Sequence, residues 1–326
     1  MINLPTVEDL KSAALCLEGR AYKTPLLESP ILNEKLGCRL LIKPETLQLT
    51  GSFKFRGAYN KISNIPKDQR KKGIVAFSSG NHAQGVAAAA KIFGIKTQII
   101  MPRDAPAIKV ANTRAYGAQV LFYNRLKEDR SIIGENLVKE TGATLVHPYD
   151  DPLVVAGQGT VGLEVAKQAR ALGANLNAFL APCGGGGLIS GCALALKSAS
   201  PETEIYSVEP IGFEDTARSV AAGKRLVGKR NRKSICDALL SPEPGKITYQ
   251  INAQLLKSGL TVSDEIVIKA MKIAFRYFKL IAEPSGAAAL AAVLSGAYKV
   301  DGKTLVVVLS GGNVDAEVYK KVLDAD

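Results

Sequence analysis

Histidine is scarce and cysteine unpatterned in this chain. Of its 326 residues only His82 and His147 are histidine, and the five cysteines (Cys16, Cys38, Cys183, Cys192 and Cys236) are odd in number with no CxxC pair. A zinc cage is hard to assemble from that set, and reduced thiols are expected. No apolar run reaches the roughly 20 residues of a membrane helix. Met1-Ile2-Asn3-Leu4-Pro5-Thr6 has no basic stretch ahead of an apolar core, so a cytoplasmic protein with no membrane partner is expected. GxxxxGK[ST] is missing and GxGxxG fails at its second half, which argues against a nucleoside-triphosphate loop or a dinucleotide site. No internal repeat or low-complexity segment is present.

Charge is abundant but unevenly placed. The net charge is +12, and the run from Lys224 to Lys233 holds six cations in ten residues. It lacks interleaved aromatics, so a solvated loop is expected in place of a nucleic-acid patch. The positive field could also gather acidic substrates.

The length suits about two domains, at roughly 150 residues each. Apolar runs alternate with amphipathic stretches: Ile74 to Phe77 then Val86 to Phe93, Thr97 to Met101 then Lys109 to Tyr116, Gln119 to Phe122 then Ser131 to Glu140, and Thr144 to His147. That rhythm predicts parallel βαβ units, an α/β fold.

Four segments carry chemistry. In Ser52-Phe53-Lys54-Phe55-Arg56-Gly57 a lysine lies between two aromatics just inside a predicted helix. An amine meant to condense with an aldehyde gains from an apolar wall that favours its neutral form, whereas a lysine snorkelling past two core rings would look the same in sequence. Pro182-Cys183-Gly184-Gly185-Gly186-Gly187-Leu188 lies between a predicted strand and a predicted helix. Four glycines remove every Cβ from the turn, so its N–H groups can close on a phosphate at a helix N-terminus. Cys183 reads as a packing residue, with no base adjacent in sequence to activate it. Ser78-Ser79-Gly80-Asn81-His82 and Leu309-Ser310-Gly311-Gly312-Asn313 each follow a buried strand, at the end where open α/β sheets bind small molecules.

Together these segments, with Glu283-Pro284-Ser285-Gly286, resemble the fold-type II pyridoxal-phosphate enzymes, in the group of serine/threonine dehydratases and serine racemases. The motifs occur in that family's order from about Leu26 to Asp315. The resemblance implies two open, mainly parallel twisted sheets with flanking helices and the cofactor in the cleft between domains. A large domain would comprise 1–66 and 151–326, with a small mobile domain at 73–147 inserted in it and no C-terminal regulatory domain. It further implies that Lys54 bonds the cofactor, Phe53 packs on its ring, and Asn81 meets its phenolic oxygen. Gly184, Gly185, Gly186, Gly187 and Leu188 would hold its phosphate, Ser310 would meet its pyridine nitrogen, and Glu283 would lie near it. Ser79, Asn81, His82 and Arg130 would bind the substrate.

The implied activity is an ammonia-lyase that converts a β-hydroxy amino acid (threonine, serine or 3-hydroxyaspartate) to a 2-oxo acid and ammonia. A hydroxyl at Ser310 does not keep the ring nitrogen protonated, which favours elimination over transamination. A serine racemase, with Lys54 serving one face of Cα and Ser79 the other, is the alternative. A non-catalytic binding protein is more remote, since it needs no cofactor-bonding lysine. The racemase branch also implies a magnesium or calcium site at Glu209, the Phe213 carbonyl and Asp215; a solvated acidic turn fits those residues equally. Cys236-Asp237-Ala238 departs from the family's Ala-Asp-Gly, so a methyl is expected beside the cofactor and Ser241 to Tyr249 could reshape the pocket. A homodimer is expected.

Overall fold

The computed structural model describes residues 2–228 and 233–324. Ten strands lie among the described residues: β1 (Leu27–Glu28), β2 (Arg39–Pro44), β3 (Ile74–Phe77), β4 (Thr97–Pro102), β5 (Gln119–Tyr123), β6 (Thr144–Leu145), β7 (Ala178–Pro182), β8 (Glu204–Pro210), β9 (Ser258–Val262) and β10 (Thr304–Leu309). They form a six-stranded sheet in the order β1-β2-β10-β7-β8-β9 and a four-stranded sheet in the order β5-β4-β3-β6. Only the β1–β2 pair is antiparallel. Two mainly parallel sheets with flanking helices are therefore what the sequence led us to expect. Strands such as β7 and β10 are almost continuously buried because helices cover both faces, which explains why they read as unbroken apolar runs. No helix among the described residues is long and apolar enough to cross a membrane.

The helices begin earlier than periodicity alone suggests. The stretch expected from Val86 is helical from Asn81, directly after Gly80, and the one expected from Lys109 starts at Ala107. Polar first turns hide the true start, and that is where the site residues sit. The cationic run is only partly seen, because 229–232 lie outside the described residues. Its Arg225 is not free in solvent: the guanidinium lies 2.8 Å from Glu243 and donates to the Pro244 carbonyl at 3.1 Å.

Three helices position the site by close approach. The Pro152–Ala171 helix runs between the Lys54–Ser63 helix and the Gly187–Ala199 helix. A Cβ on Gly157 would lie 2.6 Å from the Gly57 Cα, and one on Gly162 would lie 2.8 Å from the Cys192 Cα. Such distances are below any real Cβ contact, so glycine is what lets the three backbones meet.

A buried charge cluster locks the same junction. Arg56, in the first turn of the Lys54 helix, donates to Glu45 through Nε and Nη2 at 2.8 Å each and to Glu164 through Nη1 and Nη2 at 2.7 and 3.0 Å. Lys43 donates to Glu164 at 2.6 Å and to the Thr24 carbonyl at 2.6 Å. Two cations thus face two carboxylates, with Arg56, Lys43 and Glu45 all but inaccessible to solvent. Removing one partner leaves an uncompensated buried charge, which costs about 3–5 kcal/mol. Glu45→Ala is expected to lose about that much stability in urea unfolding of the apoprotein, and an unchanged midpoint would show the cluster to be energetically idle.

Candidate active site

The loops that leave the C-terminal ends of β3, β7 and β10 meet in one cleft of about 750 Å³, part of it open to solvent. Lys54 opens the Lys54–Ser63 helix and projects into this cleft, where its Nζ donates to the Pro148 carbonyl at 2.7 Å. Desolvation first, and then the nearby Arg130 cation, lower its pKa to about 7. The apolar wall differs from the expectation of two flanking rings. Phe53 lies beside the amine, 5.1 Å from ring centre to Nζ, whereas Phe55 turns into the core against Tyr59. Residues two apart on a helix face different ways, so only one of the pair can wall the amine.

Across the cleft lie Gly184, Gly185, Gly186, Gly187 and Leu188. Gly186, at φ +93°, precedes the Gly187–Ala199 helix, and no side chain caps the first N–H groups of that helix. These uncapped donors, with the helix dipole behind them, form a cradle for an anion. The loop is held from behind by Thr248, whose hydroxyl donates to the Gly185 carbonyl at 2.7 Å. Tyr149 packs so closely on it that a Cβ at Gly185 would overlap the ring. Sequence reading missed Tyr149, because nothing local marks a tyrosine that closes on a loop distant in the chain. An amine and an anion cradle on facing walls fit a phosphorylated aldehyde.

The Ser78–Gly80 turn forms a third wall. Ser79 lines the cleft with no hydrogen bond for its hydroxyl among the described residues. Asn81 is buried; its Oδ1 accepts from Asn313 Nδ2 at 2.9 Å and its Nδ2 donates to Glu283 Oε1. His82 also lines the cleft, but its ring is poorly suited to the role expected for it. Burial holds its pKa well below the usual value, Nε2 lies 2.9 Å from the Val146 carbonyl, and Nδ1 is buried without a partner. A neutral ring that spends its N–H on a carbonyl has only an acceptor left, so a carboxylate would have to use the backbone N–H groups of the helix start.

Ser310 and Glu283 line the same cleft, as does Arg130, whose guanidinium lies over the Phe77 ring at 5.3 Å. Ala238 is there with its methyl, and Ser241, from the unfamiliar loop, is a lining residue that sequence reading did not single out. Lys109 and Asp237 were missed too: Lys109 Nζ is 2.7 Å from Glu283 Oε2 and 2.9 Å from Asp237 Oδ2, deep in the protein.

Glu209, Phe213 and Asp215 are not among the residues lining the cleft. The alternative of a solvated acidic turn does not survive, since Glu209 and Asp215 are 0% and 1% exposed. Glu209 accepts from the Thr216 and Ala217 N–H groups at 2.8 Å each, at the start of the Asp215–Ala222 helix. Both Asp215 carboxyl oxygens lack a hydrogen-bond partner, and burial pushes its pKa up to about 8. Among the described residues no three His, Cys, Asp or Glu side chains cluster as a metal cage.

The depressed Lys54 pKa has a direct readout. Competitive acetylation of the apoprotein should label Lys54 with a midpoint near pH 7, because the amine is neutral and reactive above its pKa. Arg130→Gln should move that midpoint upward by removing a neighbouring cation. A wild-type midpoint near that of the surface lysines would contradict the desolvated wall.

Comparison with known proteins agrees with this geometry. A family model described as "Pyridoxal-phosphate dependent enzyme" matches residues 17–311. The chain is 42% identical over 322 residues to an L-threo-3-hydroxyaspartate ammonia-lyase of a Pseudomonas species, covering 99% of each chain. It is 40% identical over 320 residues to a serine racemase of Schizosaccharomyces pombe, covering 98% of each. The crystal structure of a threonine deaminase from T.th. superimposes with a TM-score of 0.90 at 43% identity, over 95% of this chain and 99% of that one. With an amine, an anion cradle and a neutral serine around one cleft, the chain belongs to the pyridoxal-phosphate-dependent enzymes of fold-type II.

Proposed function

We propose that this enzyme releases ammonia from a β-hydroxy amino acid, by β-elimination of the hydroxyl followed by hydrolysis, and that its preferred substrate is 3-hydroxyaspartate. The observation that carries the reading is the pairing, in one cleft, of a Lys54 amine with a pKa near 7 and an Arg130 guanidinium that no carboxylate neutralises among the described residues. Pyridoxal phosphate, when bound, supplies an aldehyde for an amine and a ring that withdraws electrons from Cα. Gly184 to Gly187 would hold its phosphate with backbone N–H groups, Phe53 would pack on the ring, and Asn81 and Ser310 would offer an amide and a hydroxyl at its edge. Lys54 is at its most useful as a base near neutral pH, because it is partly unprotonated there yet still basic. It would take the Cα proton while the Cα–H electron pair becomes the Cα=Cβ bond; the Cβ–O bond breaks and the hydroxyl leaves as water by taking up that proton; one water is then consumed as the enamine, through its imine tautomer, hydrolyses to the 2-oxo acid and ammonia.

Substrate binding follows from charge and donors. Ser79 and the N–H groups of Asn81 and His82, at a helix N-terminus, suit the α-carboxylate. Arg130 suits a second carboxylate, which 3-hydroxyaspartate carries and serine and threonine lack. Relatives named for that substrate match over nearly the full chain, which supports the same choice. Residues 73–147 are read as a small domain that closes over the substrate and excludes water.

The free Ser79 hydroxyl favours racemisation as a second reading, since it would serve the face of Cα opposite Lys54. One assay separates the readings: L-threo-3-hydroxyaspartate, L-serine and L-threonine are supplied in turn while keto acid, ammonia and substrate chirality are followed. Elimination should dominate, fastest with 3-hydroxyaspartate. Arg130→Gln should lower kcat/KM for that substrate by about 10- to 150-fold, the worth of a charge-assisted hydrogen bond, and leave serine little changed. Equal losses on all three would remove Arg130 from substrate choice, and faster inversion than keto acid release would promote the racemase.

Glu209 and Asp215, with the Phe213 carbonyl, are read as a structural magnesium or calcium site. Its support is the Asp215 carboxyl group, which is buried with neither oxygen partnered, a costly arrangement unless a cation or a proton compensates it. Magnesium or calcium should raise the melting temperature of the chelator-treated apoprotein, and Asp215→Asn should abolish the increment. A melting temperature indifferent to both cations would dismiss the site.

A further inference from the structure

A line of hydrogen bonds runs through Asn81 from an obligate acceptor at one end to an obligate donor at the other. The Thr50 carbonyl can only accept, and it takes Asn313 Nδ2 at 2.8 Å. That fixes the Asn313 amide, whose Nδ2 also donates to Asn81 Oδ1 at 2.9 Å. Asn81 must then direct Nδ2 at Glu283 Oε1. At the far end Lys109, an ammonium that can only donate, lies 2.7 Å from Glu283 Oε2 and 2.9 Å from Asp237 Oδ2.

The middle of the line, Asn81, Glu283 and Lys109, is buried, so these three cannot readily exchange partners for water, whereas Asn313 and Asp237 are partly exposed. Lys109 and Glu283 are each 1% exposed. The methylene stem of Lys109 lies across Gly80, where a Cβ would overlap it, and so also packs the turn that leads into Asn81. Lys109 belongs to the Ala107–Ala115 helix between β4 and β5, while Asp237 and Glu283 come from the other side of the cleft. A second bond ties that helix down, from the Ile108 N–H to Asp315 Oδ1 at 2.9 Å.

We propose that Lys109 is a positioning residue that fixes, through Glu283, which group Asn81 presents to the cofactor. Burial raises the pKa of Glu283, and the Lys109 ammonium opposes that rise and so favours the carboxylate, which accepts one Nδ2 hydrogen of Asn81. Asn81 Oδ1 is turned toward Asn313 and Nδ2 toward Glu283, so the donor left over for the cleft is the second Nδ2 hydrogen. A donor is what a phenolate oxygen needs. Without Lys109, burial and the neighbouring Asp237 carboxylate make Glu283 take up a proton. A carboxylic acid donates where the carboxylate accepted, a pull that opposes the orientation set by Asn313 and draws the Asn81 amide toward presenting its carbonyl, which repels a phenolate.

The inference rests on the reading of Asn81 as the partner of the phenolic oxygen, and the test separates the two. Apoprotein is titrated with pyridoxal phosphate and with 3-deoxypyridoxal phosphate, which lacks that oxygen, and the ratio of the two affinities is taken. Wild type should prefer the natural cofactor by about tenfold, one hydrogen bond's worth, and Asn81→Ala should bring the ratio near one. Lys109→Met, which keeps the stem over Gly80, and Glu283→Gln, which keeps the shape, should each do the same while 3-deoxypyridoxal phosphate binds as before. Should Lys109→Met fail to fold, Glu283→Gln carries the measurement. A wild-type ratio of one overturns the Asn81 reading and the inference with it. A wild-type preference that both variants retain, or a parallel fall in both affinities, overturns the inference alone and reduces Lys109 to a structural ion pair.

Discussion

Everything at the cleft is referred to the place where Arg56 is held. Its guanidinium is planar and donates in two directions, so the bidentate grips of Glu45 and Glu164 fix the first turn of its helix in rotation as well as in position. Lys54 is two residues upstream. A helix start fixed in rotation aims the amine across the cleft, and the glycine contacts at Gly57 and Gly157 set how near the next helix can come. That helix in turn carries Gly162 against the helix of the phosphate cradle. The distance from the helix start that carries the amine to the anion cradle is therefore set by three backbones in contact.

Electrostatics are arranged by exclusion more than by attraction. The amine is kept from water beside Phe53, has the Arg130 cation near it and no carboxylate to hold its proton, which is why its affinity for that proton falls. His82 and His147 are likewise pushed toward neutrality by burial. By contrast Lys109, equally buried, is drawn the other way because two carboxylates face it. The two lysines thus differ in charge at neutral pH, Lys109 fully protonated and Lys54 only partly so, decided by the neighbours that each was given.

What the sequence disclosed depended on how local each signal is. Lys54, the four glycines, the Ser78–Asn81 turn and Ser310 each sit at a strand end or helix start, where a few adjacent residues state both position and chemistry, and all of them line the cleft. Phe55 misled because adjacency in sequence is not adjacency across a helix. His82 entered the cleft as expected, yet its ring proton is committed to Val146, a fact that depends on a strand 64 residues away. Lys109, Asp237 and Glu283 are separated by more than a hundred residues from Lys109 to its partners, so no periodicity or motif could pair them. For the Glu209 and Asp215 pair a solvated acidic turn fitted as well as a cation site, because sequence does not state burial.

The sheet order carries a consequence for how the protein is made. β10 lies between β2 and β7, bonded to both, although it is the last strand in the sequence. A chain growing from its N-terminus can complete the four-stranded sheet as soon as Leu145 has emerged. The larger sheet, however, stays open in the middle until residue 309 is available. Between the emergence of β7 at residue 182 and that of β10 at residue 309, β2 and β7 each present an unpaired, strongly apolar edge, the kind of surface that recruits other strands. The segment that closes this gap ends in Ser310, so the last strand to enter the sheet is also the one that brings the final wall of the cleft, and an unfinished chain has neither.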